Sequence, residues 1–171
     1  GTATGDILYW DGNQWTELPI GQQQQVLTVC DGLPVWTIGG VCPGVLGALN
    51  CGSTTNSGTL TDGTAASGVS SSVPYTAGNG GAHNGQTVSS TGVTGLTATL
   101  VAGSFANGAG SLTYTITGTP SAAGTASFAL NIGGQSCTLT RTVAAAAPTY
   151  PAGSVFCAAG ASAIVNVTNP M

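Results

Sequence analysis

Residues 112–132 read LTYTITGTPSAAGTASFALNI, and this stretch decides the fold. Apolar side chains alternate with Thr before the central Gly-Thr-Pro-Ser-Ala-Ala-Gly, and they alternate again at Ala126, Phe128, Leu130 and Ile132. A period of two is typical of strands with one buried face, whereas the Gly and Pro residues between them indicate a turn. We therefore predict two successive strands whose apolar faces form part of the inner layer of a β-sandwich.

Similar short segments recur on both sides of this pair at the spacing of a sandwich. The predicted strands are Ser57–Thr61, Val69–Tyr75, Gln86–Ser90, Leu96–Val101, Leu112–Thr117, Thr125–Ile132 and Ser136–Val143. They predict an all-β chain with an immunoglobulin-like antiparallel β-sandwich over residues 41–147. Arg141 shares its parity with Cys137 and Leu139, and we expect it at the end of the last strand, where its side chain reaches water.

Residues 1–40 predict a separate, small β-hairpin or meander unit. Its expected strands are Ile7–Trp10, Gln14–Leu18, Val26–Cys30 and Val35–Ile38, and Asp-Gly turns connect them in pairs. The Gln22–Gln25 run is either a polar loop or a hydrogen-bonding ladder between chains. All three Trp residues lie here. They either supply the large buried side chains that a very small core needs, or form a sugar-stacking platform with Tyr9. The platform would consist of Tyr9, Trp10, Trp15 and Trp36.

Residues 148–171 follow as a small-residue linker and the start of another β unit. Ser154–Cys157 and Ala163–Val167 are its strand candidates. We expect this unit to be truncated, or to be completed by another chain.

Charge is nearly absent, because the 171 residues include one Lys or Arg, five Asp or Glu and one His. A nucleic-acid-binding surface needs a basic patch, and this chain has Arg141 alone. The same argument excludes attraction to anionic membranes. No segment approaches the roughly 20 apolar residues that span a bilayer, so we expect no membrane insertion.

Five cysteines without a C-x-x-C pair favour disulfides in an oxidising compartment over a zinc site. Cys51 precedes the first sandwich strand and Cys137 lies on the last, so we predict that they pair. Cys30 and Cys42 flank the last strand of the first unit and are predicted to form the second bond. Cys157 is then left over.

Side chains that could act in catalysis are too few for the sequence to predict an enzyme. His83 is the only histidine, lies in a turn-like run and has no acid nearby in sequence, so it is expected to be a loop residue. Each Asp-Gly turn offers one carboxylate, whereas calcium takes 6–8 oxygen ligands. We therefore expect no catalytic residue, no metal and no cofactor.

Two segments carry a resemblance to modular secreted bacterial proteins. GDILYWDGNQW at residues 5–15, with the following QVLTV at residues 25–29, resembles a repeat of phage and bacterial fibre and surface proteins. TYTITGTPSAAG at residues 113–124 resembles bacterial immunoglobulin-like repeats with an I-T-G-T-P turn. The resemblance implies an extracellular or cell-surface location and carries over no catalytic residue.

These observations lead to one principal hypothesis and one alternative. The first is a structural or assembly module of an extracellular bacterial fibre, filament or surface adhesin. It would contact copies of itself, as a trimer or head-to-tail filament, or the rest of a larger surface protein. The residues expected to make these contacts are Trp10, Trp15, Trp36, Val26, Val35, Ile164 and Val165. The alternative is a carbohydrate-binding module that uses the Trp rings, which a coplanar exposed set would favour and buried rings would not.

Overall fold

The computed structural model describes residues 3–148, whose regular secondary structure is almost entirely β-strand. The strands are β1 (Ile7–Trp10), β2 (Trp15–Leu18), β3 (Gln25–Cys30), β4 (Leu33–Ile38), β5 (Ala48–Leu49), β6 (Thr55–Ser57), β7 (Leu60–Thr61), β8 (Val69–Asn79), β9 (Ala82–His83), β10 (Gln86–Ser89), β11 (Thr91–Gly92), β12 (Leu96–Leu100), β13 (Gly103–Ser104), β14 (Asn107–Gly118), β15 (Gly124–Ile132) and β16 (Gln135–Ala144). One 3₁₀ turn covers Cys51–Ser53. No helix in this part of the chain is long and apolar enough to cross a membrane.

Two sheets pack face to face as the antiparallel sandwich that the sequence predicts. The first has the order β10-β12-β14-β8-β5, and β6 also pairs with β8. The second has the order β11-β15-β16-β7. β9 and β13, of two residues each, pair as a separate small ladder.

The stretch that opens the sequence analysis joins the two sheets, since β14 lies in the first and β15 in the second. Leu112, Tyr114 and Ile116 are buried on β14, and the alternate residues of β15 from Ala126 to Ile132 are buried opposite them. Both predicted alternations are therefore confirmed. Leu96, Val73 and Leu139 complete the same core from other strands. Apolar burial of this kind is the main favourable term in folding.

The predicted strand Ser57–Thr61 is wrong in one respect, because two strands share this segment. β6 pairs with β8 in the first sheet, whereas β7 pairs in parallel with β16 in the second. Gly58 lies between them with a φ of 72°, in the left-handed region that glycine adopts without a steric penalty. The chain changes sheet at this residue.

Arg141 does not reach water at a strand end, which corrects the expectation from the sequence. β16 continues to Ala144, and Arg141 points inward from the middle of the strand with 5% of its surface exposed. One guanidinium nitrogen, Nη1, donates to the Ser70 carbonyl at 2.8 Å and to Ser71 Oγ at 3.1 Å. The other, Nη2, donates to the carbonyls of Ser57 at 3.2 Å and Gly58 at 2.6 Å. Burial lowers the pKa of the guanidinium.

The Arg141 side chain therefore bridges the two sheets, and a disulfide does the same nearby. Cys137 on β16 is bonded to Cys51, which precedes β6. Since residues two apart on a strand share a face, Cys137, Leu139 and Arg141 all project between the sheets. The Cys51–Cys137 bond and the buried Arg141 thus both connect β16 to the segment of the other sheet that contains β5 and β6.

The first unit forms two hairpins, β1–β2 and β3–β4, as predicted. A second disulfide joins Cys30 at the end of β3 to Cys42, which leads into the sandwich. The two bonds are the pairs expected from the sequence. Asn79 of β8 also donates through Nδ2 to the Asp31 carboxylate at 3.2 Å. Cys157 and the strand candidates Ser154–Cys157 and Ala163–Val167 lie outside the described residues.

Candidate functional site

The turn of the first hairpin is built around the side chain of Asp11. Its Oδ1 accepts the backbone N–H groups of Asn13 and Gln14, both at 2.8 Å. Its Oδ2 accepts the hydroxyl of Thr16 at 2.9 Å. The backbone N–H groups of Gln14 and Asn13 lower the pKa of this exposed carboxyl. The Asp-Gly-Asn signal therefore reflects turn chemistry rather than a metal ligand.

Two Trp side chains pair across this hairpin on one exposed face. Trp10 lies opposite Trp15, and their ring centroids are 5.8 Å apart at an interplanar angle of 68°. This edge-to-face geometry is favourable for aromatic pairs. Trp10 is 54% exposed and Trp15 is 68% exposed, and Leu8 on the same face is also exposed. Tyr9 points to the other face and is half-buried.

The second hairpin is apolar on both faces. Opposite residues of an antiparallel pair share a face, so Leu27 and Trp36 lie together with Val29, Pro34, Ile38 and Gln25. We call this set the exposed hairpin face, because Val29 is 67% exposed and Ile38 is 78% exposed. Val26 and Val35 lie on the opposite face, beside a hydrogen bond of 2.7 Å between Thr28 and Thr37.

Trp36 is the one Trp held firmly in place by its neighbours. Its indole N–H donates to the carbonyl of Pro19 at 2.8 Å. Its ring covers Gly21 so closely that a Cβ at that position would overlap it. Trp36 is consequently half-buried, and it connects the loop between the hairpins to the exposed hairpin face.

Exposed apolar side chains concentrate in this part of the protein. Among the described residues, the exposed large apolar side chains other than Val101 all lie between residues 8 and 45. Scattered apolar residues are normal on a surface, whereas a contiguous patch marks an interaction site. The sequence indicated this region through its Trp and Val residues, but it missed Leu8, Leu27, Val29 and Ile38. The available signal was the lack of alternation in β3, which leaves no polar face.

The structure brings together some of the residues predicted to interact and separates others. Trp10 and Trp15 form one pair, and Val26 and Val35 share a face of the other hairpin. Trp36 lies on the opposite face from those two valines. Ile164 and Val165 lie outside the described residues. Tyr9, Trp10, Trp15 and Trp36 do not form a single coplanar set.

His83 is not the loop residue expected from the sequence, because it lies on the short strand β9 and is half-buried in the β9–β13 ladder. Its ring lies 4.7 Å from that of Phe105 at an angle of 33°. Its Nδ1 accepts the backbone N–H of Gly85 at 3.2 Å, and burial lowers its pKa. Between residues 3 and 148, no group of three or more His, Cys, Asp and Glu side chains is arranged to hold a metal ion.

Comparison with known proteins adds no assignment. No protein-family model matches the chain. No curated protein and no solved structure is significantly similar to it either. The functional argument therefore rests on the residues of this chain.

Proposed function

We propose that this chain is a structural assembly module of an extracellular bacterial fibre, filament or surface adhesin. The observation that carries the proposal is the exposed hairpin face of β3–β4 together with the Trp10–Trp15 pair. A free-standing hairpin is marginally stable in water, and these two hairpins leave large apolar side chains uncovered. Their natural cover is another copy of the chain, in a trimer or a filament, or the remainder of a larger surface protein.

The distribution of charge supports assembly. Four of the five acidic residues lie in the first 31 positions, within the unit proposed to assemble, but none of them lies on β3 or β4. Edge strands are usually protected from pairing by charged side chains. β3 contains neither a charged residue nor a proline, so its edge has no such protection, whereas β4 lacks charge but contains Pro34.

The two disulfides support an extracellular location. Such bonds persist in oxidising surroundings and are rare in a reducing cytosol. Cys30–Cys42 also ties the end of β3 to the segment that leads into the sandwich, which suits a hairpin that presents a surface to a neighbour.

Light scattering on residues 1–171 tests the proposal. Val29→Lys places a charge in the exposed hairpin face, and Val101→Lys places the same charge on a valine of the sandwich that is 77% exposed. Burial of one Val contributes about 1.5 kcal/mol or more, so Val29→Lys should weaken assembly at least about tenfold. Val101→Lys should leave the assembly mass unchanged.

A wild-type chain that stays monomeric at high concentration would contradict self-assembly. Equal weakening by both Lys variants would show that nonspecific charge, rather than the exposed hairpin face, controls the mass. If the chain instead covers its hairpins with another part of a larger protein, the longer protein should protect Val29 and Trp15 from solvent labelling.

Carbohydrate binding is the second candidate, because the Trp10 and Trp15 rings are accessible. Their mutual angle of 68° offers a sugar two inclined edges rather than one flat platform. Titration with oligosaccharides, read by Trp fluorescence, tests this candidate. Saturable quenching that Trp15→Ala removes while Trp36→Ala retains it would favour binding over assembly.

A further inference from the structure

Strand β16 is paired along one edge and largely unpaired along the other. β15 pairs with residues 135–143, whereas β7 pairs with Val143 and Ala144 alone. The N–H of Val93 donates to the carbonyl of Thr125, so the backbone N–H and C=O groups of Thr125 point toward β11 and away from β16. Thr125 lies opposite Thr142, so the backbone groups of Thr142 also point away from β15. Because this direction alternates from one residue to the next along an antiparallel strand, the backbone groups of Thr140 and Thr138 point away from β15 as well. No strand among residues 3–148 pairs with those groups.

This open edge lacks the features that protect other edges. Natural sheets use charged residues, proline or bulges against unwanted pairing. An inward-pointing charge can also protect an edge, and β16 has one in Arg141. Its side chain is only 5% exposed and already bonded to oxygens of its own chain, so an added strand would bury no further charge. The side chains of Thr138 and Thr140 are exposed, and neither residue interrupts the strand.

A pocket lies beside the same edge. Its volume is about 260 Å³, and it is bounded by residues between Asn56 and Leu60 and by Arg141, Thr142 and Ala144. In strand addition, backbone hydrogen bonds provide affinity and pockets for alternate side chains provide specificity. The pocket has room for a short aliphatic side chain of an added strand.

The chain itself contains a segment suited to this edge. Beyond Pro148 it continues for 23 residues (171 − 148) without any Asp, Glu, Lys or Arg. Within them, Ala163–Val167 reads AIVNV, which is rich in the β-branched residues that favour strands. A tight hairpin from the end of β16 is blocked, because β7 occupies the place beside Val143 and Ala144.

We propose that the open edge of β16 receives residues 163–167 of a second copy of the chain. The inference rests on the proposed assembly function and names a second contact within it, separate from the exposed hairpin face. The added strand would pair with Thr138 and Thr140 and place one apolar side chain in the pocket. The contact is head-to-tail, so it can extend from copy to copy.

Cysteine cross-linking in the full chain tests this pairing. The test variant carries Thr140→Cys and Val165→Cys. It also carries Cys157→Ser, which removes the remaining cysteine outside the two disulfides. Unlabelled and heavy-isotope-labelled copies are mixed and oxidised, and the linked peptides are identified by mass spectrometry. Peptides joining residue 140 of one isotope form to residue 165 of the other are expected. Ser89→Cys replaces Thr140→Cys in the control, since Ser89 is an exposed residue of β10 at the edge of the other sheet.

Each outcome decides the inference. Links within one isotope form alone would show that the segment pairs with its own sandwich, and absent links in folded protein would show no pairing; both overturn the proposal. Retention of the Cys51–Cys137 bond reports the fold, and Thr138→Cys replaces Thr140→Cys if that variant misfolds. If Val29→Lys dissolves the assembly while the links are absent, the proposed function stands and this inference fails.

Discussion

Replacement of Arg141 by Met should lower the free energy of unfolding by about 3 kcal/mol. The side chain makes four hydrogen bonds to oxygens of Ser57, Gly58, Ser70 and Ser71, and methionine can make none of them. At about 1.5 kcal/mol for each bond from a charged donor, the gross loss is about 6 kcal/mol. Relief from burying a cation returns several kcal/mol, so roughly half of the loss remains.

Urea unfolding of the full chain with its disulfides intact measures this difference. In thermal unfolding, the same loss should lower the melting temperature of a chain of this size by about 6–12 °C. Thr140→Met on the exposed face of the same strand is the control and should change stability by less than about 0.5 kcal/mol. Arg141→Lys should fall between the two, because a single ammonium cannot reach both Ser70 and Gly58 as a planar guanidinium does.

A Met variant as stable as the wild type, or more stable, would refute the reasoning. It would mean that water satisfies the carbonyls of Ser57, Gly58 and Ser70 as well as Arg141 does. The bridge between the sheets would then be maintained by the Cys51–Cys137 bond and apolar packing alone.

Three further predictions concern the sandwich. Cys51→Ser with Cys137→Ser should destabilise it by about 4.6 kcal/mol in the chain-entropy model, since the bond closes 86 residues; calorimetry checks this, and a loss below about 1 kcal/mol would contradict the model. Gly118→Ala should cost about 1–3 kcal/mol in denaturant titrations, because φ is 104° and the added Cβ would overlap the carbonyl of Gly95, whereas Gly134→Ala has open space and should show backbone strain alone. Burial raises the pKa of Tyr114 to about 12, above the ordinary value of 10.0, so the stability from this neutral phenol is complete below pH 10 and is lost as pH rises through 12. Tyrosinate absorbance should therefore show one late-titrating group that Tyr114→Phe removes, and an unchanged late step in that variant would assign it elsewhere.

The regions that were predictable from sequence are those where one physical requirement dominates. The alternation around Tyr114 and Phe128 has a single solution, because every other side chain must enter the core. Arg141 was harder to place, since a lone charge is ordinarily exposed. Its burial depends on carbonyls of Ser57, Gly58 and Ser70, which sequence patterns do not reveal because they lie more than 70 positions away. The change of sheet at Gly58 was missed for a related reason: one glycine can either interrupt a strand or redirect it.

The candidate site was only partly predictable from sequence. Trp10 and Trp15 were identifiable by residue type, and their pairing follows from the hairpin register around Asp11. Val29 and Ile38 were not singled out, because apolar residues in a strand normally face a core. Their exposure follows from the small number of elements that pack against β3 and β4, which is a property of the tertiary structure.

The disulfide between Cys51 and Cys137 determines how the protein responds when it is pulled from its two ends. Tension entering before Cys51 passes directly through the sulfur atoms to Cys137 and leaves along the final residues of β16. Residues 52–136 therefore carry no load. If unravelled, these 85 residues (136 − 52 + 1) would lengthen the chain by about 280–310 Å. With the bond intact, tension applied to the two ends of the chain cannot extend residues 52–136, which make up most of the sandwich.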